Sequence, residues 1–185
     1  MTAAVQQGFK FSNQQSLFVS AEAFGRLEKG QLVNGSVGGV ARYYWRWAPK
    51  KVFFMTLDAQ TTQRPDPEKQ VLLGGDNGLR GYPLRFQTGT SRALFSMEQR
   101  FFPDWFPFRL FHVGAAVFFD AGRTWGTPPV GTPSLGLLKD VGFGLRLGNA
   151  RSAFGSVLHF DVAYPLDRVA GIDDIQFLVE TKRSF

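Results

Sequence analysis

The chain has no cysteine among its 185 residues. That excludes disulfides, thiolate metal sites and a cysteine nucleophile. It has only two histidines, His112 and His159, so little imidazole chemistry is available. No stretch approaches the ~18 consecutive apolar residues of a spanning helix, and helical periodicity is almost absent. No basic segment followed by an apolar one opens the chain at Met1-Thr2-Ala3-Ala4-Val5-Gln6. Exported proteins carry such a leader, so the expectation is a mature chain or a piece of a longer one. Mean hydropathy is close to zero at −0.11. That value excludes a helical membrane protein but not a membrane β-barrel, whose strands show lipid only every second residue.

What the chain does have is period two, over segments of about ten residues. Leu17, Val19, Ala21 and Ala23 alternate with Ser20 and Glu22. Ala41, Tyr43, Trp45 and Trp47 alternate with Arg42, Tyr44 and Arg46. The same holds for Phe53 to Ala59, Phe95 to Phe101, Val113 to Asp120, Val141 to Leu147, Leu158 to Tyr164 and a last segment from Ile175 to Phe185. These predict about eight strands. Residues 1–15 form an N-terminal segment with a short extra strand at Gly8 to Phe11, and 16–185 form one β domain.

Connections alternate in length after the second strand. Compact turns fall at Ala48-Pro49-Lys50, Pro103 to Pro107 and Gly148 to Ser152. Long linkers fall at Thr61 to Thr88, Thr124 to Leu138 and Pro165 to Asp173. Outer-membrane barrels have short turns at one end and long loops at the other. Trp45, Trp47, Trp105 and Phe106 fall at strand ends beside the short turns, where an interfacial aromatic girdle would sit. The expected fold is therefore all-β: an antiparallel transmembrane β-barrel wall of about eight strands.

Two motifs stand out. One is Gly74-Gly75-Asp76-Asn77-Gly78-Leu79-Arg80-Gly81-Tyr82, a glycine-rich loop carrying an arginine. The other is Phe118-Phe119-Asp120-Ala121-Gly122, an aspartate on a strand. Arg80 and Asp120 invite pairing, and strand phase places Glu98 on the same polar face as Asp120.

With Gly142-x-Gly144-x-Arg146 on the following strand, these motifs resemble the C-terminal half of the BamA-like bacterial surface-antigen superfamily. The likeness runs from about Ser16 to Phe185. It implies a sixteen-stranded outer-membrane barrel that inserts or translocates other proteins. Leu79, Arg80, Gly81 and Tyr82 would be the inward-folding loop that gates the lumen. Its partners would be Glu98, Asp120, Gly122, Gly142, Gly144 and Arg146, with Gly81 and Tyr82 packed on a wall smoothed by Gly114, Gly142 and Gly144. The implied localisation is the bacterial outer membrane, and the implied partners are outer-membrane lipid and unfolded outer-membrane or secreted client proteins.

Three closures stay open from the strand count. The chain is half of a sixteen-stranded barrel, or two copies pair into one, or it closes as a small barrel with the loop pushed outward. An alternative role is a passive outer-membrane anchor or small pore, and a third reading is a soluble β-sandwich binding module.

Enzyme chemistry is not expected. Ser156 faces away from His159 and Asp161, so they do not form a triad, and Arg146 is the better partner for Asp161. No cluster has metal-ligand spacing, and no helix follows the glycine strings to make a phosphate loop, so no metal or cofactor is expected. The net charge of +6 is scattered along strands and does not form a nucleic-acid surface.

Overall fold

The computed structural model describes residues 1–28, 31–66, 70–107, 111–127, 131, 134–149, 156–169 and 171–183. It is all-β. Nine strands form one antiparallel sheet: β1 (Thr2–Lys10), β2 (Gln15–Glu28), β3 (Gln31–Ala48), β4 (Lys51–Gln63), β7 (Ser91–Phe101), β8 (Phe111–Trp125), β9 (Leu138–Asn149), β10 (Ser156–Pro165) and β11 (Gln176–Arg183). Between β4 and β7 the chain leaves the sheet to form a separate hairpin, β5 (Val71–Leu73) with β6 (Gln87–Gly89). The sheet is a meander: each strand pairs with its sequence neighbour, with the hairpin skipped.

Two expectations are corrected here. The sheet has nine strands, because the N-terminal segment forms a full strand that pairs with β2 from Thr2↔Phe24 to Lys10↔Ser16. The linker from Thr61 to Thr88 carries the β5–β6 hairpin and a 3-10 turn at Gly75–Asn77. Part of the turn expected at Gly148 to Ser152, and Phe185, lie outside the described residues.

The sheet is not closed: β1 and β11 each have one partner. All eight junctions are antiparallel. An odd number of strands joined this way makes β1 and β11 run in the same direction.

Period-two alternation sends side chains to opposite faces, and the two faces are sharply different. The outer face carries Leu57, Val117, Phe143, Leu145 and Val179, all at least half exposed. The inner face carries Glu98, Asp120, Arg146, His159 and Asp161, all buried. Soluble domains bury apolar groups and expose charges; this sheet does the reverse. The tight turn from β3 to β4 follows from its residues. Proline presets the first turn position, and Lys50 takes φ 65, the left-handed conformation of the second.

The only buried hydrophobic cluster lies on the inner face, among the described residues. Leu73, Leu79 and Tyr82 of the inserted segment pack on Leu94 of β7 and Leu138 of β9. The inserted segment thus packs against the face of the sheet formed by β7 to β10.

Candidate functional site

The loop enters the wall through glycine. Gly74 and Gly78 have φ 127 and 114, values that strongly favour residues without a Cβ. The hairpin behind them is anchored by Gln87, whose Oε1 accepts from Thr124 N at 3.2 Å and from Thr124 Oγ1 at 3.0 Å. Arg92 donates to Leu72 O at 3.0 Å and to Asp58 Oδ2 at 2.9 Å. Tyr82 donates its hydroxyl proton to Lys139 O at 3.0 Å and stacks on Phe86.

These anchors deliver Arg80 to the centre of the inner face. Its Nε donates to Asp120 Oδ2 at 2.7 Å and its Nη2 to Asp120 Oδ1 at 3.0 Å. Nη1 donates to Glu98 Oε2 at 3.0 Å and Asp161 Oδ2 at 3.2 Å. Ser96 Oγ lies 3.5 Å from Nη2. A guanidinium has five donors, and all five are occupied. The plane also lies over the Phe118 ring, 3.3 Å from the centroid, a cation–π arrangement. Burial opposes the charge on Arg80, but Asp120, Glu98 and Asp161 outweigh it and hold the guanidinium protonated well above its ordinary range.

The cluster extends sideways. Glu98 Oε1 also accepts from Arg100 Nε at 2.8 Å and from Arg146 Nε at 3.2 Å. Arg146 Nη2 lies 3.0 Å from the same oxygen without the angle of a hydrogen bond. Arg146 Nη1 donates to Asp161 Oδ1 at 2.5 Å. Three guanidiniums, of Arg80, Arg100 and Arg146, therefore meet three carboxylates, of Glu98, Asp120 and Asp161. Asp140 stands beside this balanced set, directly across from Asp120 in the β8–β9 register. It is fully buried, and neither of its oxygens meets a hydrogen-bond donor in acceptable geometry among the described residues.

The structure brings together Arg80, Glu98, Asp120 and Arg146 in one cluster. It changes the role of the glycines. The nearest atoms to a Cβ built on Gly81 belong to Asp140 and Pro165, at 2.5 to 3.2 Å, and not to a glycine wall. Gly142 makes room for the Phe118 ring, and Gly144 for the Asp161–Arg146 pair. Gly114 faces Phe101 and Phe102, away from the loop. Gly122 does lie under the inserted segment, against Leu73 and Leu94. The glycines thus clear space for the side chains that grip the loop.

Sequence reasoning missed Asp161 as a ligand of Arg80, along with Ser96, Phe118 and Asp140. Alternation places all four on the inner face; Asp140 precedes Val141, where the apolar alternation becomes visible, whereas β9 begins at Leu138. Among the described residues, no three His, Asp or Glu side chains converge as metal ligands do. What remains is a buried, charge-compensated clamp on a loop. Neither a protein-family model nor a curated protein matches this chain.

Proposed function

We propose that the chain is part of the wall of a bacterial outer-membrane β-barrel of the BamA-like kind. Its outer face meets lipid, its inner face bounds a polar lumen, and the Leu79–Tyr82 loop is held inside by the Arg80 clamp. The role that goes with this reading is insertion of client proteins into the outer membrane, or their passage across it, with the loop as gate and no covalent chemistry.

One observation carries the reading: the exposed face is apolar while the buried face is ionic. In water, exposing Phe143, Leu145 and Val117 together would leave an apolar patch that monomeric soluble proteins rarely carry. In a bilayer the same face is favourable. Strands β7, β9 and β10, of 11, 12 and 10 residues, are long enough to span when tilted. All four tryptophans are exposed: Trp45, Trp47 and Trp105 towards the short-turn end and Trp125 at the other, as aromatic girdles require.

Open edges are not tolerated in lipid, so the wall is completed by further strands. Because β1 and β11 run the same way, antiparallel closure needs an odd number of them. A second copy in the same membrane orientation would set each β11 beside a β1 running the same way, a parallel junction, so the preferred complement is an odd-numbered set whose edge strands run opposite to β1 and β11.

The test is refolding into vesicles of brominated phosphatidylcholine. Quenching of the tryptophan fluorescence, with retained β circular dichroism, is the expected result. A chain that stays monodisperse in plain buffer and is not quenched defeats the proposal.

A further inference from the structure

The loop covers the sheet from β7 to β10, but among the cavities on the inner face of β1 to β4 two differ in character. The one nearer the middle, about 580 Å³, is lined by Glu22 and Asp58 together with Arg42 and Arg92, so its charges balance. The one at the short-turn end is larger, about 930 Å³, and no acidic residue lines it among the described residues. Lys10, Arg46, Lys50 and Arg100 do. Lys50 is neutralised by Asp104 and Arg100 by Glu98. Lys10 and Arg46 have no ion pair among the described residues, although both lie at inward positions of their strands.

The same cavity carries aromatic surface on a face that is otherwise mostly polar. Phe18 of β2 meets Tyr44 of β3 edge-on, with ring centroids 6.0 Å apart, and Tyr44 meets Phe54 of β4 at 4.8 Å. Arg100 lies over Phe54 at 4.5 Å and closes the row. Phe18 remains 40% exposed. Uncompensated cations beside uncovered rings are complementary to a ligand bearing both carboxylates and aromatic groups. Asn13, Gln14 and Gln15 are among the residues lining the cavity. Each offers both donors and acceptors, which suits a peptide backbone.

We propose that this cavity is a docking site for an acidic polypeptide segment carrying aromatic side chains. Carboxylates pair with Lys10 and Arg46, and an aromatic ring packs on Phe18 and Tyr44. A peptide fits better than an anionic lipid because the site is on the inner face, opposite the apolar one. That the cavity is the mouth of a lumen rests on the barrel reading above; the site itself does not.

The experiment is fluorescence anisotropy of a short labelled peptide of alternating Glu and Phe, titrated with the full chain folded in zwitterionic detergent. Saturable binding that weakens with salt is expected, with clearly weaker binding of the Lys–Phe and Glu–Ser counterparts. The double variant Lys10→Gln, Arg46→Gln should bind the Glu–Phe peptide about tenfold more weakly or worse, consistent with two lost charge pairs. Phe18→Ser should reduce Glu–Phe binding to the Glu–Ser level. Circular dichroism checks that each variant is folded; Lys10→Gln alone, on the exposed edge strand, serves if the double variant is not. Equal binding of the Lys–Phe peptide, or unchanged affinity in folded charge variants, overturns the proposal. So does displacement by phosphatidylglycerol vesicles as effective as by unlabelled peptide, which would assign the site to lipid. A chain that binds peptide but fails the brominated-lipid test keeps the site and loses the lumen. One that inserts but does not bind loses the site alone.

Discussion

Asp120 receives both the Nε and the Nη2 of Arg80, one on each carboxylate oxygen, at 2.7 and 3.0 Å across forty residues of sequence. The bidentate fork fixes the orientation of the guanidinium as well as its position. It therefore sets where the whole loop sits on the wall.

Removing the cation should be costly. Arg80→Ala leaves Asp120, Glu98 and Asp161 crowded without their shared counter-charge. Breaking one side of a buried ionic set costs about 3–5 kcal/mol. The expected outcome is a lower urea midpoint and rapid proteolysis between Gly74 and Arg85. Arg80→Lys should rescue little, since an ammonium cannot reproduce the planar fork. Wild-type protease resistance in Arg80→Ala would refute the clamp.

The outer face offers the sharpest discrimination between lipid and water. Phe143 is 62% exposed. If that surface meets water, Phe143→Arg should change stability by no more than about 0.5 kcal/mol. If it meets lipid near mid-depth, the cost should be about 2–4 kcal/mol. Urea titration in vesicles reads the difference directly.

Gly142→Ala should destabilise by about 1–3 kcal/mol. Its new methyl would overlap Val162 O and the Phe118 ring that lies under Arg80. Gly39→Ala, whose nearest atom lies 3.4 Å from the added carbon, is the matched control and should be close to neutral. Equal effects in the two variants would count against the space-clearing role.

Tyr82 gives a pH signature. Burial, with smaller contributions from Asp167 and Asp140, pushes its hydroxyl up from 10.0 to about 12. The neutral phenol is thus favoured in the folded loop. Its stabilising contribution is complete below pH 10, the ordinary tyrosine value, and is lost as pH rises to about 12. Loop protection measured by proteolysis should fall across that window. Tyr82→Phe should flatten the alkaline fall, and at neutral pH should cost about 1 kcal/mol for the lost bond to Lys139 O.

Much of the wall was legible from alternation. A strand period of two assigns every residue to one of two faces once a single residue is placed. Phase puts Glu98, Asp120 and Arg146 on one face; that Glu98 and Arg146 belong with the Arg80 loop is implied by the resemblance to BamA-like barrels. The N-terminal strand is hard to read because Gln7 interrupts the outward series of Ala3, Val5 and Phe9. The β5–β6 hairpin was unreadable because three-residue strands leave too few repeats to show a period. Asp161 was assigned to Arg146 correctly, yet nothing local ties it to Arg80, which lies 81 positions earlier.

Sequence by itself determined which side chains share a face and where most of the chain turns. Those properties are local, set by backbone stereochemistry and by neighbours a few residues away. Tertiary structure decided that one loop arginine reaches carboxylates on three different strands, that the glycines make room for the gripping side chains, and that the two free edges run the same way. Register and strand count are cooperative properties of the assembled sheet, and no window of sequence carries them.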